Sequence, residues 1–196
     1  MARYAKFFSV GGGGGGLTNF IDGVCNATQA TAFIEVIGTA ADINFALKPK
    51  GTGAIIAACP DATAVGGNSR GQYAVDLQII RATATQVASG NYSVITGGKN
   101  NTASGIFSSV VGGCGNNATG YASGVSMGVS NCAIGCYSFI GGGSNNTARD
   151  TYTTIGGGCN NRITVTNSAY CACFASIGGG ANNIISHCGF TGVYNA

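Results

Sequence analysis

Gly90-Asn-Tyr-Ser-Val-Ile-Thr-Gly-Gly-Lys-Asn-Asn-Thr-Ala-Ser-Gly105 decides the fold, because its centre, an Ile or Val, a glycine pair and an Asn pair, keeps returning downstream. Read on the second Asn, the motif falls at Asn101, Asn117, Asn131, Asn146, Asn161 and Asn183, in steps of 16, 14, 15, 15 and 22 residues. A unit that short cannot bury a core of its own. Each copy is therefore one rung of a stack and depends on its neighbours.

Aligning the rungs on the Asn gives the columns. Six residues before it, or close to that, stand Ile95, Val111, Val125, Ile140, Ile155 and Ile177, β-branched every time. Two residues earlier stand Ser93, Ser109, Ser123, Ser138, Thr153 and Ala175, always small. Residues two apart in a strand share a face, so both columns point into the roll. Stacking places like residues ~4.8 Å apart in parallel, in-register ladders. A rung of this length predicts two strands of about five residues and two tight bends. Glycine runs such as Gly141–Gly143 and Gly156–Gly158 are expected at one bend, and the Asn pairs at the other. Within one column the Asn amides can form a ladder of their own. Tyr92, Phe107, Tyr121, Tyr137, Tyr152 and Phe174 form a further column. On a single copy it would be a long exposed stripe, which wrapping several copies around one axis would bury.

Upstream the pattern changes. Residues 1–16 read as an attachment peptide, with Arg3, Tyr4, Lys6, Phe7 and Phe8, joined to a hinge of six glycines, Gly11–Gly16. Residues 17–64 read as a small β module: Thr31-Ala-Phe-Ile-Glu-Val-Ile37 and Ile43-Asn-Phe-Ala-Leu47 have strand length, and Lys48-Pro-Lys-Gly-Thr-Gly53 is a turn into Ala54-Ile-Ile-Ala57. Residues 65–196 are the repeat domain. No 3.6-residue period is sustained, so the chain is predicted to be all-β.

Composition narrows function. Only 8% of residues are charged and the net charge is +3, with no basic run, so nucleic acid has no electrostatic footprint here. No apolar run reaches the ~18 residues of a membrane helix, and the N-terminus lacks a signal-peptide stretch; membrane insertion is not expected, and folding in a cytoplasm is. The nine cysteines show no metal-ligand spacing and read mostly as small buried apolar residues. No metal or other cofactor is expected. Asp22, Glu35, Asp42, Asp61, Asp76 and Asp150 are scattered rather than paired, and His187 and Cys188 are neighbours that a strand would point to opposite faces. The expectation is a protein without enzymatic activity. An ice-binding face would need a flat Thr column, but the position after the key Asn reads Thr102, Ala118, Cys132, Thr147, Arg162 and Ile184. The 22-residue step holds about seven extra residues, expected as a loop in which Asn167, Tyr170, Cys171 and Cys173 are candidate receptor contacts.

The run Gly90–Gly105 resembles the head repeats of trimeric autotransporter adhesins, and the likeness covers about residues 88–190. That resemblance implies a left-handed parallel β-roll in an intertwined homotrimer. Ile43-Asn-Phe-Ala-Leu-Lys-Pro-Lys-Gly-Thr-Gly53, Gly66-Gly-Asn-Ser-Arg-Gly71, Ala74-Val-Asp-Leu-Gln78 and Ala84-Thr-Gln-Val-Ala-Ser-Gly90, in this order, resemble bacteriophage tail-fibre and collar-fibre proteins. This second likeness implies a virion fibre assembled in the host cytoplasm. Its N-terminus would join other virion proteins at the neck, tail or portal, and it would meet a host surface glycan or protein. A purely architectural neck or capsid fibre, or the head of a bacterial adhesin, are the alternatives. His187–Ala196 opens a rung without closing it, so Ala196 is expected to be a maturation edge or the cut end of a longer product. Roughly eight rungs would extend about 40 Å.

Overall fold

The computed structural model describes residues 49–165 and 173–187. These are all-β, and every strand pairing in them is parallel. One wall is a sheet of eight short strands in rung order: β1 (Ile55–Ile56), β2 (Val75–Asp76), β3 (Val94–Ile95), β5 (Ser109–Val110), β7 (Gly124–Val125), β9 (Phe139–Ile140), β11 (Thr154–Ile155) and β13 (Ser176–Ile177). The second wall has six: β4 (Thr102–Ala103), β6 (Asn117–Ala118), β8 (Cys132–Ala133), β10 (Thr147–Ala148), β12 (Arg162–Val165) and β14 (Ile184–His187). Between them runs a third ladder of single-residue bridges through Ile80, Lys99, Cys114, Val129, Ser144, Cys159 and Ala181. The described residues form a β-solenoid of three ladders. That third side explains why most strands are two residues long rather than the expected five.

Small cross-section dictates what lies inside. Ile95, Val110, Val125, Ile140 and Ile155 are at most 1% exposed and face Ala103, Ala118, Ala133, Ala148 and Ile163, all fully buried. A β-branched column against a column of mostly alanine fits a narrow interior. Each buried Ile or Val contributes about 1.5–3 kcal/mol through transfer from water.

The register corrects three sequence expectations, all in one rung. Ile95 pairs in parallel with Val110, so Val110 occupies the core column, while Val111 is 51% exposed on the outer face. Asn116 is the buried member of the Asn column, and Asn117 lies in β6 opposite Thr102 and Cys132. The small column likewise passes through Ser108 rather than Ser109. In all three doublets, Ser108-Ser109, Val110-Val111 and Asn116-Asn117, the motif match took the second residue. With the register set, the step is 15 residues without exception from Asn101 to Asn161.

The bends are also differently assigned. Gly98, Gly113, Gly128, Gly143, Gly158 and Gly180 have positive φ, and so do Asn100, Asn145, Asn160 and Asn182 two residues later in their rungs. Glycine pair and Asn pair therefore build one and the same bend. A Cβ on Gly98 would run into the Gly113 carbonyl of the next rung, so backbones approach too closely there for any side chain. The second Asn closes this bend from inside. Asn116 Nδ2 donates to Gly112 O (2.8 Å) and to Gly128 O (2.9 Å), while Asn116 Oδ1 accepts the N–H of Asn131 (3.0 Å). The same set recurs at Asn131, Asn146 and Asn161, which is the amide ladder read from the sequence.

Upstream, the turn before Ala54 is present, with Gly53 N–H donating to Lys50 O at 3.2 Å. It leads directly into β1, which pairs with β2, so Ile55–Ile56 belongs to the stack. The chain divides between Leu47 and Lys48. The attachment peptide with Arg3, Tyr4, Lys6, Phe7 and Phe8, the glycine hinge and the strand-like segments 31–37 and 43–47 lie outside the described residues.

Candidate functional site

The second bend of each rung carries the feature most unlike an ordinary protein surface. Tyr73, Tyr92, Phe107, Tyr137, Tyr152 and Phe174 all take left-handed backbone, with φ between 56° and 63°. Bulky residues avoid this region, because Cβ crowds the following carbonyl. What holds them there is the stack. Each N–H is tied to a carbonyl in a neighbouring rung, as in Tyr92 N–H to Gln72 O (2.8 Å) and Tyr152 N–H to Cys136 O (2.9 Å). The rings add about 0.5–1.5 kcal/mol per pair. Centroids are 5.1 Å apart for Tyr73–Tyr92 and Tyr92–Phe107, and 4.8 and 4.9 Å for Tyr137–Tyr152 and Tyr152–Phe174, all four pairs stacked.

One rung departs from this pattern. Ala122 takes the left-handed position (φ 50°), and the aromatic is the preceding residue, Tyr121. Its ring reaches the column from one position earlier and meets Phe107 and Tyr137 edge to face, at 5.7 and 5.4 Å. The stripe is thus continuous over seven rings, about 30 Å at one rung spacing per ring. From Tyr73 to Tyr152 each ring is 41–49% exposed. The Tyr137 phenol is held above the ordinary tyrosine range, first by desolvation and then by the phenols of Tyr121 and Tyr152 on either side.

In the four stacked pairs ring faces cover one another, whereas Tyr121 stands edge to face between Phe107 and Tyr137 and is stacked on neither. Five of the seven rings are tyrosines, so the column carries phenol hydroxyls as well as aromatic carbon at a fixed repeat. The residues before the rings are mixed, Gln72, Asn91, Ile106, Cys136 and Thr151, with Ile106 44% exposed.

The cysteines depart from expectation. Cys59, Cys136 and Cys159 are exposed, Cys114 and Cys132 half-buried, and all five carry free thiols. No interior column is left for them, because Ile or Val, Ser, Ala and Asn occupy every inward position. Burial pushes the Cys132 thiol up, against a smaller opposing pull from Arg149, so it stays protonated and is a weak nucleophile. Cys173 is disulfide-bonded. Asn167, Tyr170 and Cys171, the other candidate receptor contacts, lie outside the described residues.

The described carboxylates stand apart. Asp61 is exposed in a loop, where the N–H and hydroxyl of Thr63 hold its carboxyl below the usual range. Asp150 is buried in a bend, and Asp76 lies inside the roll. No group of three or more His, Cys, Asp or Glu that could hold a metal occurs among the described residues. No helix there is long and apolar enough to cross a membrane. The outer column of the second wall runs Thr102, Asn117, Cys132, Thr147, Arg162 and Ile184, so Asn117 stands where Ala118 was expected. It is no flat Thr plane.

No protein-family model and no curated protein matches this chain.

Proposed function

We propose that this chain is a non-enzymatic structural subunit of a phage tail or neck fibre, in which three copies share an apolar seam and the rigid shaft presents the particle to a host surface. One observation carries the seam. Seven aromatic rings in one unbroken column, each more than two-fifths exposed, form an apolar surface longer than a soluble monomer ordinarily leaves in water. A second copy with the same rung spacing meets it ring for ring, with no register mismatch along its length. The column also bears no charge, so identical copies meet there without repulsion.

The fibre reading follows from what the stack is good for. Parallel ladders with every rung bonded to the next give a stiff rod, and lateral association removes the exposed sides. The likeness of Gly66–Gly71 and Ala74–Gln78 to fibre proteins of bacteriophages supports the phage assignment over a bacterial adhesin. Host attachment is the favoured role of that rod.

Light scattering on the purified full chain tests the seam. The expected mass is three times 19.3 kDa. A monomer at working concentration would refute it. Attachment is tested separately, by binding of the purified assembly to host cells and its block of phage adsorption; a trimer that does neither is an architectural fibre.

A further inference from the structure

Two successive rungs, those of β1 and β2, are longer than the regular one. Val75 lies opposite Ile55 and Val94 opposite Val75, steps of 20 and 19 residues, against 15 from Val94 to Ser109 and from Ser109 to Gly124. The extra residues leave the roll as two loops, 59–69 and 81–89, neither of which holds a strand. An insertion into a stacked rung is extruded at the surface, where binding residues collect on a rigid scaffold. The loops are packed tightly. Asn68 N–H of the first donates to Ala84 O of the second (2.8 Å). A side chain on Gly66 would collide with Cys59 O and the Asp61 carboxyl, and one on Gly67 with the Val87 side chain.

Buried polar groups fasten both loops from inside. Asp76 occupies the core column between Ile56 and Ile95 in the register. Its Oδ2 lies 2.8 Å from Arg70 Nε and 3.3 Å from Arg81 Nη2, and all three side chains are at most 1% exposed. Arg70 Nη1 donates to Gly66 O (2.6 Å) and Asn68 O (2.9 Å), and Arg81 Nη1 to Val65 O (3.2 Å), all in the first loop. In the second loop Gln86 O accepts from Arg81 Nε (3.1 Å) and from Gln78 Nε2 (2.8 Å). Toward the next rung Gln78 takes the part of a ladder Asn: its Oε1 accepts from Asn101 N–H (2.7 Å) and its Nε2 donates to Asn101 O (3.1 Å). For stability alone an Ile at position 76 would serve as well, since a buried ion cluster rarely outperforms apolar packing. What the ions do, and Ile cannot, is reach the loop carbonyls and fix the shape of both loops.

The shape so fixed includes an open cleft of about 570 Å³, lined by Pro60, Asp61, Ala62, Asn68 and Ser69 of the first loop and Ser89 of the second. That volume is in the range of small-ligand sites, about 300–1,000 Å³. Its polar side chains are uncommitted. The hydrogen bonds of the Asp61 carboxylate, from the N–H and hydroxyl of Thr63 and the N–H of Gly66, all fall on Oδ1, which leaves Oδ2 as an acceptor. Among the described residues, the side chains of Asn68, Ser69 and Ser89 make no hydrogen bond. A carboxylate acceptor, an amide that both donates and accepts, and two hydroxyls stand around a Pro ring and an Ala methyl. That set matches a pyranose, with hydroxyls around its rim and one apolar C–H face. No cation lines the cleft, and Asp61 repels an acidic polymer. We propose that this cleft is a binding site for a neutral sugar of a host surface polysaccharide. The assignment rests on the attachment role given above and names its ligand class and its residues.

The test applies the labelled full chain to an array of purified bacterial surface polysaccharides, neutral and acidic, and in parallel to host cells. Wild type is compared with the double variant Asn68→Ala, Ser89→Ala, which removes no side-chain hydrogen bond of the fold and should keep the wild-type melting temperature and mass. Wild type should bind at least one neutral polysaccharide, and the double variant should bind it about tenfold or more weakly, as two hydrogen-bonding groups are lost. Equal affinity in the double variant, binding confined to acidic polysaccharides, or no binding of wild type to any polysaccharide each overturns the site. Cell binding tells this failure from failure of the attachment role. Cells bound equally by wild type and variant refute the cleft and leave attachment to another surface of the chain. Cells bound by neither refute attachment itself, and the cleft with it.

Discussion

The rungs from Gly90 to Ile163 and the rung around Val75–Asp76 solve one problem by opposite chemistry. In the former, each inward position is filled by a residue that its neighbours repeat: Ile or Val on Ile or Val, Ala on Ala, Asn on Asn. In the latter the same backbone register carries Asp76 where Ile95 stands next door, and Gln78 in place of a ladder Asn. The difference teaches that a rung of the stack can keep its register without repeating its neighbours, when a buried ion cluster and a carboxamide satisfy one another in place of the repeated residues.

The sharpest way to break this comparison is to take the carboxylate out of the polar rung. Asp76→Ala leaves two buried guanidinium groups without their carboxylate, and should cost about 3–5 kcal/mol in denaturant unfolding. Replacing Arg70 and Arg81 by Leu in the same chain should recover most of that loss. Ile140→Ala, in the regular rungs, should cost about 2–5 kcal/mol by opening a cavity between Val125 and Ile155. Next come the paired positions that fix the register. Asn116→Ala strips acceptor and donors from Asn131 N–H, Gly112 O and Gly128 O, at about 1–3 kcal/mol, whereas Asn117→Ala should change stability by less than about 0.5 kcal/mol. Equal effects at the two would contradict the register.

The smallest expected effect is alkaline. Folding raises the pKa of Tyr137, so the folded state favours its neutral form. That contribution is complete below the ordinary tyrosine value of about 10 and is lost as pH rises through the folded value. Melting temperature above pH ~10 should therefore fall more steeply in wild type than in Tyr137→Phe.

Much of the roll was legible in the residues. Period, all-β class, the inward Ile and Ser columns and the amide ladder all follow from columns of like residues, because in a stack each position has one environment repeated. Legibility failed where two adjacent residues were equally suitable. Val110-Val111 and Asn116-Asn117 are chemically degenerate doublets, and only backbone pairing says which member turns inward. The bridge ladder was invisible for a different reason: Lys99, Cys114, Val129, Ser144 and Cys159 face outward, so nothing constrains their type. The aromatic column was read, but its left-handed backbone was not, since propensity assigns that conformation to Gly and Asn and the stacking that overrides it is a contact between rungs. The polar rung had a signal. Gly71-Gln-Tyr-Ala-Val-Asp76 aligns with Gly90-Asn-Tyr-Ser-Val-Ile95, and an acid in an Ile column marks the rung that departs from the repeat.

Everything rests on rungs of fifteen residues stacked in parallel register, and cross-linking tests that most directly. Cys132 and Thr147 are direct partners in β8 and β10, with Cα atoms about 4.8 Å apart, within the reach of a disulfide. Mild oxidation of the Thr147→Cys variant should join that position to Cys132 within one chain, identified by peptide mapping, whereas Ala148→Cys should not react because its side chain is turned inward. Bridging of Cys132 to position 148, or no bridge at either position, would contradict the register on which the fold and the seam depend.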